Sequence, residues 1–362
     1  MSTSKIEWTD VVWNPVRGCS KVSAGCTNCY AERQAARFSG PGQPWDGFVR
    51  TLYQGPNAEA SFPRWTGRVE LVPDALDKPL RWRKPRRVFV NSMSDLFHER
   101  VSNEDIAGIF GLMASAPQHT FQVLTKRPER MRVWCKWMEA HAAAHSTVPI
   151  QVAVYHGQRL SEHAALRNGA LDRAWPLPNV WLGVSVEDQA SADGRIPTLL
   201  ETPAEVRWVS YEPALGPVDF SRFMWPVHER WPWPFESPAA ARAAGAKVTK
   251  HKQAIVLAGS RFLDWIVVGG ESGPGARPCD IKWIRGALEQ CKAAGVPVFV
   301  KQLGAAAFGY DGMHEGQMRA VSGRSFNGFR RGVPKLRHPK GGDPLEWPED
   351  LRVREFPAGA ST

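Results

Sequence analysis

Three cysteines, Cys19, Cys26 and Cys29, stand close together near the amino terminus of the chain. Six residues separate the first two and two residues separate the last two, and Gly18 and Gly25 border the segment. Thiolates are preferred ligands of soft metals, and three of them on one loop can hold three corners of a cluster or of a tetrahedral zinc site. The spacing therefore predicts a metal centre on this loop.

Two kinds of metal centre fit this triplet. A structural zinc needs a fourth ligand, but no second cysteine pair with the same spacing is present, and the first histidine is His98. Three cysteines without an evident fourth ligand favour an iron–sulfur cluster with one open iron. A zinc site completed by a distant histidine remains the alternative. The other three cysteines lie in apolar or helical contexts that are typical of buried side chains.

The composition limits the class of protein around this loop. The chain has 362 residues, 43% of them hydrophobic, and its 16 Trp exclude a globally disordered protein. It has no apolar run near 18 residues and no apolar leader, so we expect a cytoplasmic protein without a membrane span. The formal charge of +10, from 46 Lys plus Arg and 36 Asp plus Glu, favours a nucleic-acid partner.

Short apolar runs alternate with helical stretches along the chain. The runs predict strands over 10–13, 87–91, 120–124, 180–184, 206–209, 265–268 and 297–300. Helices are predicted over 103–114, from 128 to about 144 and over 280–294. Such alternation is typical of a parallel sheet, and seven units predict an α/β fold with a complete or partial TIM-like barrel.

The predicted barrel occupies residues 1–304. Insertions interrupt it near 31–80, 144–178 and 217–262, and the last of these is rich in Trp and Pro. Residues 305–362 are expected to form an irregular basic C-terminal extension. Trp residues in the insertions could stack on DNA bases, although core packing is expected for most of the 16.

Charged side chains follow the predicted strands. They are Asp95, Lys126, Glu187, Asp188, Glu212, Glu271 and Lys301. The carboxyl ends of barrel strands meet at one mouth, so these groups are expected to gather beside the cysteine loop. For any one of them, a solvated loop position is the simpler alternative.

Several ordered sequence blocks resemble a phage and prophage family of radical S-adenosylmethionine (SAM) proteins. They cover residues 18–32, 91–97, 124–128, 183–187, 210–213, 269–273 and 301–302. Together they span most of the chain. One departure is that most radical SAM enzymes separate their first two cysteines by three residues, whereas six separate them here.

The resemblance implies a [4Fe–4S] cluster on Cys19, Cys26 and Cys29, with SAM on the open iron and flavodoxin or ferredoxin as the electron donor. Strand order then assigns contacts with SAM to a set of residues at the strand ends. This set is Asn91, Ser92, Ser94, Asp95, Ser185, Glu187, Gly269, Gly270 and Glu271. Lys126 and Glu212 are the catalytic candidates.

The resemblance also implies a reaction in DNA hypermodification. A glycine that is N-linked to the thymine methyl carbon would be isomerised to a C-linked form, which protects viral DNA from host restriction. The basic segment Arg81, Arg83, Lys84, Arg86 and Arg87 is the candidate DNA contact. Radical modification of another nucleic acid or a small substrate remains an alternative, as does a non-catalytic, zinc-stabilised nucleic-acid-binding protein.

Overall fold

The protein is described here from a computed structural model. It covers residues 4, 6–54, 60–161, 167–224, 247–248, 255–256, 262–309 and 336–357. The main sheet has seven parallel strands, which are β1 (Val11–Trp13), β6 (Arg87–Val90), β7 (Thr120–Thr125), β8 (Val180–Val186), β9 (Val206–Tyr211), β12 (Trp265–Gly269) and β14 (Val298–Gln302). The predicted apolar runs correspond to these strands.

The strands occur in the sheet in the same order as in the sequence, and the sheet curls into a half-barrel. The mixed α/β fold and the partial barrel are thus confirmed. The helices are α1 (Tyr30–Ala36), α2 (Pro73–Leu76), α3 (Lys78–Arg81), α4 (Asn103–Ala114), α5 (Pro128–Ala144), α6 (Pro149–Leu160), α7 (Gln189–Glu201) and α8 (Ile281–Ala294). Short 3-10 helices cover Ala24–Cys26, Arg167–Asp172, Ser221–Phe223, Pro344–Glu346 and Glu349–Leu351.

The insertions contain regular elements of their own. Strand β2 (Val16–Arg17) pairs with β5 (Glu70–Leu71), and β3 (Val49–Gln54) forms an antiparallel hairpin with β4 (Ala60–Trp65). The other short pairs are β10 (Lys247–Val248) with β11 (Ile255–Val256), and β13 (Cys279–Asp280) with β15 (Ala307–Phe308). The remainder of the Trp-rich segment 225–261 lies outside the described residues. No helix in the described part of the chain is long and apolar enough to span a membrane.

Aromatic side chains fill the inner side of the half-barrel near the amino ends of its strands. This aromatic floor consists of Trp8, Phe89, Trp181, Trp208, Trp265, Val267 and Phe299. It includes no helix residue, which distinguishes it from the main core between the sheet and the helices. Gly183 is required beneath it, because a Cβ at this position would lie 2.5 Å from the Trp208 indole. Core packing therefore accounts for these Trp residues.

Residues 336–357 of the predicted C-terminal extension are described, and they pack against the edge of the sheet. Arg354 forms an antiparallel bridge with Phe299, and the Val300 amide donates to the Val353 carbonyl at 2.8 Å. This pairing covers the exposed edge of β14. It also places the Phe356 ring on Trp265, with a centroid distance of 5.4 Å.

We predict that Phe356→Ala lowers the free energy of unfolding by about 2 kcal/mol, because it removes a ring from the aromatic floor. Urea denaturation measures this change. Leu345→Ala is the control, since Leu345 is 80% exposed and its truncation should change stability by less than about 0.5 kcal/mol. Equal effects of the two substitutions would contradict the packing role of Phe356.

Acid should destabilise the fold through three buried histidines. Burial lowers the pKa of His98, His119 and His156 below 6.5. Below about pH 6.5 the unfolded chain therefore binds more protons than the folded chain. The contribution of the neutral, buried histidines to the free energy of unfolding is complete above about pH 6.5 and is lost as the pH falls below it. Urea denaturation at pH 7.5, 6.5 and 5.5 should show the decrease, and His119→Gln should reduce it. His145→Gln, at an exposed position, is the control, and an unchanged pH dependence in His119→Gln would contradict the prediction.

Candidate functional site

The cysteine loop begins directly after β1 and β2 and crosses the carboxyl edge of the sheet. Its first turn depends on Gly18, which has a φ of +86° and forms a bridge to Ser94 after β6. A Cβ at this glycine would lie 1.9 Å from the Arg68 carbonyl oxygen. Glycine is therefore required immediately before Cys19.

The three thiols share one partly buried environment. Cys19 and Cys29 pack against a small apolar cluster that includes Phe48 and Met93. Burial raises the pKa of Cys19 to about 12; negative charge on Asp95, Cys29 and Cys26 contributes to the increase, and Arg127 opposes it. Burial likewise raises the pKa of Cys29. Such thiols keep their protons until a metal displaces them. Within the described residues, no three His, Cys, Asp or Glu side chains form a group that could hold a single metal ion.

Asp95 and Arg127 fix the start of the loop. The Asp95 carboxylate accepts from the Thr125 hydroxyl at 2.8 Å and from the Arg127 guanidinium at 3.1 Å. Arg127 also donates to the Ser20 side chain at 2.8 Å and pairs with Glu99 at 3.0 Å. The predicted strand-end residue Asp95 and its partner Arg127 are thus both paired within the protein, and they position Ser20, the residue next to Cys19.

His98 is a residue of the site that sequence spacing did not assign. Its Nε2 lies 2.9 Å from the Ser20 hydroxyl, and its Nδ1 accepts from the Arg100 amide at 3.2 Å. Because Nδ1 accepts, Nε2 carries the proton and donates to Ser20. His98 therefore supports the loop in this arrangement and offers no free nitrogen to a metal.

The middle of the loop rests on Glu187, a buried carboxylate at the end of β8. Arg195 donates to this carboxylate at 3.0 Å, and Lys126 pairs with it while also donating to Ser185 at 2.7 Å. Gly25 lies directly against it, because a Cβ there would be 2.2 Å from Glu187 Oε1. The predicted residues Lys126, Ser185 and Glu187 are thus brought together under the loop.

Glu271 holds the far side of the loop. Its Oε2 accepts from the Asn28 amide at 2.9 Å and from the Arg277 backbone amide at 2.8 Å, and Arg277 pairs with Oε1 at 2.6 Å. Burial raises the pKa of Glu271, but the Arg277 and Asn28 donors outweigh burial and keep it below its usual value. Arg277 also donates to the Ala24 carbonyl at 2.8 Å. Gly270 approaches Leu303 so closely that a Cβ would lie 2.2 Å from its carbonyl oxygen.

A second ion pair lies at the mouth, between Glu212 after β9 and Lys301 on β14. Their charged atoms are 3.0 Å apart, and both side chains keep some exposure, 12% and 21%. The other Glu212 oxygen accepts from the Ser210 hydroxyl at 3.1 Å. Gly269 lies beneath the pair, since a Cβ there would be 2.8 Å from Glu212 Oε1. Lys301 is the more exposed of the two side chains, whereas Glu212 Oε1 is buried.

The residues after β6 join the loop to the sheet. Asn14 accepts from the Ser92 hydroxyl at 3.3 Å, and the Ser94 hydroxyl donates to the Val16 carbonyl at 2.8 Å. Asn91 has a φ of 59° and accepts from the Val16 amide at 3.4 Å. Its Nδ2 is buried and has no hydrogen-bond partner among the described residues. An unpaired buried donor is costly and indicates a position where a ligand group can be received.

The predicted basic segment is not at the mouth. It precedes β6 and therefore lies at the amino edge of the sheet, about 13 Å from the mouth along a four-residue strand. Arg81 pairs with Asp77, and Arg87 pairs with Asp10 at 3.0 Å. Arg86 lies over the Trp82 ring. The exposed members are Arg81, Arg83 and Lys84.

Fold and site together define a half-barrel α/β protein with a cysteine loop over the carboxyl edge of its sheet. The chain belongs to the family described as protein of unknown function DUF5131, whose model matches residues 3–331. No curated protein and no solved structure matches the chain.

We predict that Gly25→Ala loosens the cysteine loop, because the added methyl group collides with a carboxylate that two cations hold in place. Overpacking of this kind costs about 1–3 kcal/mol, which corresponds to a loop that opens about 5- to 160-fold more often. Limited trypsin digestion after Lys21, followed by mass spectrometry, measures the opening. Gly194→Ala in α7 is the matched control, since nothing lies within 4 Å of its Cβ position. Equal digestion rates would contradict the contact.

Proposed function

We propose that this protein is a radical SAM enzyme that carries a [4Fe–4S] cluster on Cys19, Cys26 and Cys29. Its substrate would be glycine-modified thymidine in phage DNA, isomerised from the N-linked to the C-linked form. The observation that carries the proposal is the position of three partly buried thiols on a loop over the mouth of a half-barrel. Functional groups of barrel folds gather at this edge.

The donor set fits such a cluster. Three thiols on one loop leave one iron open, and the apolar cluster with Phe48 and Met93 would shield the metal from water. Three separate strand ends fix the loop through Arg127, Glu187 and Glu271. The protein would thus supply the three thiolate ligands of the cluster from one loop.

Groups that fit SAM lie around the same mouth. The unpaired Nδ2 of Asn91 is a donor for the SAM carboxylate. Ser185 lies beside Glu187, and Lys126 contacts both of them. Gly269 and Gly270 lie at the end of β12 and could offer SAM only their backbone, because Glu212 and the Leu303 carbonyl occupy their Cβ positions. We assign these residues to SAM. Asp95, Glu187 and Glu271, in contrast, are assigned to positioning the loop, because protein donors occupy their carboxylates.

When bound, the cluster and SAM supply a 5′-deoxyadenosyl radical. The chain's own residues bind, orient and protect the reactants. Lys301 is placed to bind the carboxylate of the glycine group, and Glu212 to bind its amine, since both charges are partly exposed at the mouth. Lys126 orients Ser185 and Glu187. The cysteine loop above and the aromatic floor below limit the entry of water.

The cluster is tested by anaerobic reconstitution with iron and sulfide. We predict about four irons per chain and reductive cleavage of SAM to 5′-deoxyadenosine and methionine. Cys29→Ala should lower SAM cleavage at least tenfold, whereas Cys135→Ala, at a buried cysteine of α5, should retain it. A colourless protein with one bound zinc, or full iron content in Cys29→Ala, would contradict the proposal.

The substrate is tested separately with DNA that contains N-linked glycinyl thymidine. An isomerisation conserves all atoms, so nuclease digestion and mass spectrometry should reveal a nucleoside of unchanged mass and altered retention. A Lys301→Met variant should cleave SAM and yield at least tenfold less of this product. If the protein converts the free monomer and does not convert DNA, its substrate is a nucleotide and not the DNA polymer.

A further inference from the structure

The β3–β4 hairpin carries a basic face that no role in the fold explains. Its inner face places Val49 and Trp65 against α1, both buried. The next residue of each strand is arginine, and Arg50 and Arg64 lie directly opposite each other in the register. Alternation along a strand puts both arginines on the outer face of the hairpin.

This arrangement of charge does not favour folding. Like charges that are directly opposite on an antiparallel pair repel each other. Arg64 is partly compensated by Glu32 at 3.6 Å and lies over the Phe62 ring, 4.5 Å from its centroid. Arg50 is exposed, and among the described residues it forms no ion pair. A paired basic and aromatic face of this kind fits an anionic partner with flat rings.

Glu32 fixes the hairpin beside the cysteine loop. Its carboxylate is buried in α1, three residues after Cys29, and accepts from the Trp65 amide at 2.7 Å. The same carboxylate pairs with Lys21 of the loop at 2.7 Å. Hairpin, helix and loop therefore share one buried charge. Tyr30 on α1 is 52% exposed and adds an aromatic ring on this side of the mouth.

We infer that the outer face of the β3–β4 hairpin binds the DNA substrate by its phosphate backbone and presents the modified thymidine to the mouth. This inference rests on the proposed function for the identity of the substrate. A two-stranded ribbon fits the major groove of DNA, and arginine binds phosphate. We therefore assign DNA binding to the hairpin and not to the basic segment before β6, because that segment lies at the opposite edge of the sheet.

Fluorescence anisotropy with a labelled 20-base-pair duplex tests the inference. Arg50→Glu should weaken binding at least tenfold, and Arg50→Gln should reduce the slope of log affinity against log salt by about one. Arg83→Glu, an exposed charge reversal at the amino edge, is the matched control and should leave affinity within twofold. Because Arg50 and Arg83 are both exposed, and Arg50→Glu removes the repulsion with Arg64, no variant should have a thermal midpoint below that of the wild type. Wild-type affinity in Arg50→Glu, or an equal loss in Arg83→Glu, would overturn the inference.

SAM cleavage in the same variants separates this inference from the proposed function. Arg50→Glu should cleave SAM without DNA at the wild-type rate, since it contacts neither the cluster loop nor the strand ends. A wild-type protein that cleaves SAM but binds no DNA would overturn the hairpin inference and the proposed DNA substrate, and would leave the radical SAM proposal standing. Binding through Arg50 by a protein that holds no iron would support the hairpin inference and refute the proposed function.

Discussion

Buried carboxylates must be paired, and this requirement positions the cysteine loop. Glu187 is 2% exposed and is matched by Lys126 and Arg195, so its carboxylate is fixed where the backbone of Gly25 crosses it. Removing one partner of such a group leaves an uncompensated charge and typically costs about 3–5 kcal/mol. Glu32 and Glu271 are also buried and paired, and their partners hold the two sides of the loop in place.

The curled sheet determines which groups can meet. Because its strands are parallel and follow each other in sequence order, their carboxyl ends lie side by side and their charged ends can pair across neighbouring strands. Aromatic side chains fill the amino half of the inner surface, whereas Ser185, Ser210 and Gly269 lie towards the mouth. Four of the 16 Trp thus form the floor of the half-barrel.

Much of the sheet was predictable, because its strands are continuous apolar runs that a parallel sheet buries on both faces. The basic face of the β3–β4 hairpin was not predictable, because only the pairing register shows that Arg50 lies opposite Arg64. The place where Arg354 pairs with the sheet was also not predictable, because it depends on a few contacts between residues far apart in sequence, such as Phe356 on Trp265.

The sequence indicates where the candidate site lies, but it indicates only part of what each residue of the site does. Strand ends identified Asp95, Glu187 and Glu271, yet their partners lie up to 243 residues away in sequence, as for Asn28 and Glu271. Asp188 caps α7 by accepting from the Ser191 amide, which sequence position alone could not distinguish from a mouth residue.

The central claim is that the three thiols hold one cluster with an iron that SAM can bind. Electron paramagnetic resonance of the reduced, reconstituted protein with and without SAM tests it most directly. We predict the signal of a reduced [4Fe–4S] cluster whose shape changes when SAM is added, because SAM would bind the open iron. A signal that SAM leaves unchanged, or a protein that binds zinc and gives no signal, would contradict the claim.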